Sequence, residues 1–182
     1  MEKEDILFQL DISWQLFQYH VSNLTDEEAL WCKTEQGLQI RQIDGTWAAD
    51  WPETEAYTIG PASIAWTMWH ILYWWKNTMD YSFGNGTLKK EAVLWPGSVE
   101  LAVKEISRLH EEWIKILSEM PKEDFESPKY AKWPFADTSF CRIALWLNAE
   151  FMKNVAEIGH GRYLYAIASF KNIEEINQEN KS

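Results

Sequence analysis

Basic side chains are scarce in this chain. Lys and Arg together number 17 against 28 Asp plus Glu, a formal net charge of -11. A field of that sign repels phosphate backbones and anionic headgroups, so neither nucleic acid nor a membrane surface is expected as a partner. Cysteine is scarcer still. Cys32 and Cys141 are too few for a disulfide framework or a cysteine-built zinc site, and both read as small buried hydrophobes. No apolar run approaches the roughly 20 residues of a spanning helix. The first residues, Met1 to Asp5, carry acids where a secretion signal needs a basic stretch and then an apolar one, which predicts a cytoplasmic protein. There is no Gly-x-Ser-x-Gly elbow and no phosphate-cradling glycine loop, so nucleophilic hydrolysis and nucleotide binding lack their usual signatures.

What the chain does have is aromatic rings: 12 Trp, 7 Tyr and 8 Phe. So many indoles, each with an N–H in need of a partner, point to a cavity wall or an interface as well as a core. A length of 182 residues suits one compact unit. Residues 1–170 are read as that single domain and 171–182 as a polar, fraying tail.

Hydrophobic spacing sets out the elements. Leu7, Leu10, Trp14, Phe17, Val21 and Leu24 recur at steps of three and four, which predicts a first helix over residues 4–24. Thr25 to Glu28 reads as a capping box that starts a short helix, with Glu28 reaching back to the cap. From Cys32 to Tyr57 the period disappears. Asp44-Gly45, Trp47, Trp51 and Pro52 mark a long Trp-rich connection with room for a hairpin, packed as a lid. Pro61 is expected in the first turn of a second long helix reaching to about Tyr81, apolar on nearly all sides and stopped by Gly84 and Gly86. Ser98 caps a third helix that Pro121 ends, and a fourth runs from near Asp137 towards Tyr165. The fold expected is all-α, a four-helix bundle with a long Trp-rich connection between helices one and two.

Chemistry concentrates on two helices. Glu150, Asn154 and Glu157 follow at spacings of four and three and continue the stripe of Ile143 and Leu147, so all three point inward, or Asn154 and Glu157 lie on the stripe's edge and reach water. His70 stands among Trp66, Trp69, Tyr73, Trp74 and Trp75. It is either a satisfied core histidine or an imidazole facing a carboxylate on a neighbouring helix, the way bundles assemble metal and acid–base sites. If Glu150 is buried against His70, the pair should raise the histidine's pKa and lower that of the carboxyl. Of the other histidines His160, three residues after Glu157, either pairs with it or reaches solvent at the edge, as lone polar residues commonly do. His20 and His110 sit nearer the ends or borders of their stripes.

The segments Ile64-Ala65-Trp66-Thr67-Met68-Trp69-His70-Ile71 and Leu147 to Ile158, with Asp44-Gly45-Thr46-Trp47 and Arg162-Tyr163-Leu164-Tyr165, resemble the DinB-like superfamily of metal-dependent helical bundles. The likeness extends over about residues 4–169. It implies a divalent metal, often zinc or nickel, held by a histidine on helix two and two ligands, usually histidines, four residues apart on helix four. Those positions fall here on His70, Glu150 and Asn154. A carboxylate and a neutral carboxamide thus stand where imidazoles are usual, so a metal is expected weakly bound or absent.

Family members with intact sites include transferases that use low-molecular-weight thiols, and the resemblance also implies a homodimer. Two readings follow. One is a binding protein whose aromatic cavity holds a small apolar molecule beside a degenerate metal site. The other is a metal-dependent transferase acting on a small thiol and an electrophile.

Overall fold

A computed structural model describes residues 3–54 and 56–179, with the side chains of Tyr57 and of residues 171–179 outside that description. The first helix, α1 (Lys3–Val21), buries Ile6, Leu10, Ser13 and Phe17; of the stripe read from the sequence Leu10 and Phe17 are buried, while Leu7, Trp14 and Val21 are half-buried beside them. After a short turn, α2 (Asp26–Leu30) starts at Thr25, whose hydroxyl accepts from the backbone N–H of Glu28 at 3.1 Å. The cap is as expected, but Glu28 does not reach back to it. Its carboxylate takes a two-pronged bond from Arg162, at 2.9 and 3.3 Å, far along the chain.

The connection then forms a two-stranded antiparallel hairpin, β1 (Ile40–Ile43) and β2 (Thr46–Ala49), with Ile43 paired to Thr46. Asp44 and Gly45 both take positive φ, 48° and 78°. That is the left-handed pair a tight hairpin turn needs to match strand twist, and it explains why Asp-Gly sits there.

The second long helix, α3 (Ile64–Phe83), begins later than Pro61 suggested. Ser63 is the cap, accepting from the N–H of Trp66 at 3.2 Å, and Pro61 lies in the preceding extended segment. Serine offers a side-chain acceptor that proline lacks, so the boundary falls at the better cap. As its sequence implies, α3 is buried on almost every side, including Trp69, His70, Leu72 and Trp75. It packs against α4 (Val99–Glu119) and α6 (Phe140–Glu179), while a one-turn helix, α5 (Lys122–Phe125), links those two. Ser98 caps α4 through the N–H of Leu101, as its position before the apolar stripe predicts.

The fourth long helix is longer than expected. It starts at Phe140 rather than near Asp137, and the polar stretch expected as a tail belongs to it as far as Glu179. Residues 180–182 lie outside the described residues.

Asn148 donates to the carbonyl of Ile6 at 2.9 Å and Arg162 to that of His20 at 2.8 Å, each pair 142 residues apart. The first and last helices therefore run parallel. Their seam closes a core centred on Phe17, Trp75, Trp113 and Phe140, all buried. No helix of the described residues is long and apolar enough to cross a membrane.

Candidate functional site

Helical spacing brings Trp66, His70 and Trp74, each four residues apart, onto one side of α3. Asn154 meets them from α6. The indole N–H of Trp74 donates to Nε2 of His70 at 2.7 Å. An indole can only donate, so Nε2 is the acceptor and the ring proton sits on Nδ1. Nδ1–H then donates to Oδ1 of Asn154 at 3.0 Å, and Nδ2 of Asn154 donates to the backbone carbonyl of Glu150 at 2.8 Å. That last bond fixes which end of the carboxamide faces the imidazole.

Both ring nitrogens are thereby spent within the protein, and Trp66 stacks on the ring at 4.7 Å between centroids. Burial favours the neutral ring and pushes the His70 pKa down to about 4, outweighing the opposite pull of the Asn154 bond.

The structure brings His70 and Asn154 into contact and sends Glu150 elsewhere. Glu150 borders the same crevice between α3 and α6, yet its carboxylate pairs with Nζ of Lys153 at 2.6 Å. The Glu150–His70 pair expected from the sequence is thus replaced by His70–Asn154, and the histidine's pKa is lowered rather than raised. A lysine at the solvent edge keeps the carboxylate partly hydrated, which costs less than burying it against an imidazole. Asn154 lies inward, whereas Glu157 is exposed as a residue even though the atoms around its carboxyl push its pKa up.

For a divalent metal, this donor set offers one imidazole with no free nitrogen, one neutral carboxamide and one carboxylate already neutralised by Lys153. Zinc and nickel favour imidazole, thiolate and unpaired carboxylate. Among the described residues no group of three or more His, Cys, Asp or Glu side chains is placed to hold an ion. As arranged, these side chains do not fit zinc or nickel.

Aromatic rings enclose the site. Trp51, from the connection after β2, lies 5.1 Å from Tyr73 and 6.3 Å from His70. Trp133, from the connection between α5 and α6, stacks on Trp74 at 5.1 Å, and Trp146 meets Trp74 edge-on. The crevice lined by Trp74, Trp75, Phe151 and Asn154 has no volume for a water-sized molecule. That crevice, beside the His70–Asn154 pair, is filled by its own walls.

Open concave space lies outside that crevice. One hollow of about 510 Å³ is bordered by Leu38, Trp51, Pro52 and Ile59 with the Arg41–Asp50 ion pair, and another of about 480 Å³ lies between Tyr19, Arg162 and Tyr163.

The remaining histidines stand apart. His160 is exposed. His20 covers Gly159 so closely that an added Cβ would meet its ring at 2.5 Å. His110 is buried, stacked on Trp14 at 3.8 Å with Nε2 unbonded, and burial lowers its pKa to about 4. Sequence reasoning did not single out Trp74 as the partner of His70. The signal was there, since four-residue spacing on a helix places an indole N–H beside an imidazole. Trp133 gave no comparable signal, because it comes from a connection without periodicity.

Long helices that build a polar site from side chains facing one another in the core define a recognised class of bundle. Within that class the chain belongs to the DinB superfamily, whose family model matches residues 9–158, a span that includes both His70 and Asn154. No curated protein and no solved structure matches the chain.

Proposed function

We propose that this chain is a metal-independent member of the DinB superfamily that works by binding a small apolar molecule rather than by metal chemistry. The observation that carries the reading is the state of His70, whose two nitrogens are bonded to Asn154 and Trp74. A metal would have to displace one of those buried bonds, leaving a donor or acceptor unsatisfied at a cost of about 1–3 kcal/mol before any coordination begins. The ring-filled interior then becomes a rigid wall, and binding falls to the shallow, open hollow at Trp51, where Leu38, Pro52 and Ile59 supply apolar surface beside the polar Glu35, Gln36, Arg41, Asp50 and Glu53. An indole 41% exposed is a ready platform for an apolar or aromatic ligand.

Competition of zinc against a chromogenic chelator tests the metal half of the reading. Wild type is expected to bind no zinc tighter than about 10 µM, while Asn154→His, which restores an imidazole, gains at least tenfold. Stoichiometric, tight zinc binding by wild type would overturn the reading in favour of a metal-dependent transferase acting on a small thiol. The binding half is tested with anilinonaphthalene sulfonate as the apolar probe. Saturable binding that Trp51→Ala abolishes is expected, and binding unchanged in that variant would move the ligand site elsewhere.

A further inference from the structure

The indole at the edge of the Trp-rich connection already carries a cation. Nζ of Lys90 lies over the Trp51 ring, 4.8 Å from its centre. None of the rings around Trp51 stacks flat on it: Trp69, Tyr73 and His70 meet it at 80°, 62° and 52°. The negative face of this indole is therefore answered by an ammonium and not by a parallel ring, and the residue stays exposed beside the 510 Å³ hollow.

The chain also gathers more carboxylates than cations there. Gly37 lets the turn that starts at Thr34 fold back against Pro61, where a Cβ would strike Sγ of Cys32 and the Pro61 carbonyl, and this turn carries Glu35 to the rim. The hairpin of β1 and β2 brings Asp50 and Glu53 to the same rim. Arg41 is the one guanidinium lining it, and its Nε donates to both carboxylate oxygens of Asp50 at 3.0 Å, so that pair cancels. Lys90 is offset by Glu91 at 3.7 Å. Glu35 and Glu53 are exposed, and no ion pair engages either of them among the described residues.

We infer that the hollow selects an organic ammonium, an apolar aliphatic or aryl body carrying one protonated amine. The inference rests on reading this hollow as the ligand site and adds to it the charge of the ligand. Leu38 and Ile59 supply surface for the body. The ammonium finds the Trp51 face and the two unspent carboxylates, a pairing of ring and acid that a neutral or anionic ligand of the same shape cannot use. Lys90 draws on the same ring, so it competes with the ligand's own cation.

Phenylpropylamine, phenylpropanol and phenylpropionate share one apolar body and differ in charge, whereas anilinonaphthalene sulfonate reports the apolar half alone. Their affinities for the full chain are read by ligand-observed NMR titration at neutral pH. The amine should bind about tenfold tighter than the alcohol, and the carboxylate weakest of the three. Glu35→Gln combined with Glu53→Gln should bring the amine within about threefold of the alcohol and leave the alcohol unchanged. Lys90→Met, which frees the ring, should tighten the amine by about threefold, and Lys89→Met, an equal change of charge at an exposed neighbour, should do less.

Equal binding of all three compounds, removed by Trp51→Ala, overturns the selection for charge and leaves the apolar reading standing. Binding of none, or binding that Trp51→Ala does not affect, overturns both. A preference for the amine that neither the paired glutamine substitutions nor Lys90→Met alters belongs to the general charge of the chain, and it overturns the proposed receptor.

Discussion

At the scale of single residues, the arrangement around His70 makes a quantitative demand. Removing Asn154 strands a buried N–H, and removing His70 strands a carboxamide oxygen and the Trp74 indole N–H, so His70→Phe and Asn154→Leu should each destabilise by about 1–3 kcal/mol in chemical denaturation. Together they replace a polar pair by apolar groups, and the double variant should lose clearly less than the two losses added. Strict additivity would show that the bond is not made.

His110 makes a second demand. Its pKa is about 4 in the folded chain against 6.5 in the unfolded one, with burial the main cause and Asp11 pulling weakly the other way. Between those values the unfolded chain holds more protons. Stability from this group is therefore full above about pH 6.5, falls as the pH drops towards 4, and is level below that. The full shift corresponds to about 3 kcal/mol, and some screening of the ring brings the expected loss nearer 2. His70 adds to the same slope, and Glu157, whose pKa is raised by burial, opposes it. Melting curves of wild type and His110→Phe across pH 4 to 7 isolate the one contribution, and a difference that does not change with pH would refute it.

Among elements, the capped starts of α2 and α4 and the stop of α3 were legible in the sequence, whereas the start of α3, both ends of α6 and the partners of buried charges were not. Thr25, Ser98 and Gly84 stand where propensity places caps and stops, because capping is a local matter of one side chain and the next three backbone groups. Glu28 was misjudged for the opposite reason. Its partner, Arg162, is 134 residues away, and no local rule reports such a distance.

That arginine ties α6 to α2 and, through the carbonyls of His20 and Ser22, to the end of α1. Arg162→Met keeps the stem but leaves the nearly buried Glu28 carboxylate and two carbonyls without their donor. Allowing for the partial exposure of the guanidinium, the loss should be about 2–3 kcal/mol by urea denaturation. Glu28→Gln in the same background should recover part of it, and a neutral Arg162→Met would mean that the clamp contributes nothing. The site was legible to the same degree: His70 and Asn154 could be paired from periodicity and family likeness, whereas the diversion of Glu150 to Lys153 turns on solvent exposure that spacing does not encode.

For the molecule as a whole, four amphipathic stripes of the right length predict a bundle, and the bundle is there. The order in which the helices touch is another matter. Nothing in the stripe of α1 says that it lies parallel to α6, and that pairing makes the first 19-residue helix depend on the last. Its consequence unfolds in time. During synthesis, Ile6, Leu10 and Phe17 leave the ribosome some 140 residues before the side chains that cover them. At ordinary elongation rates of about 5–20 residues per second that is a delay of roughly 7–28 s. Through that interval the nascent chain carries an apolar helix that α4 can cover only in part and that its final segment must arrive to shelter fully.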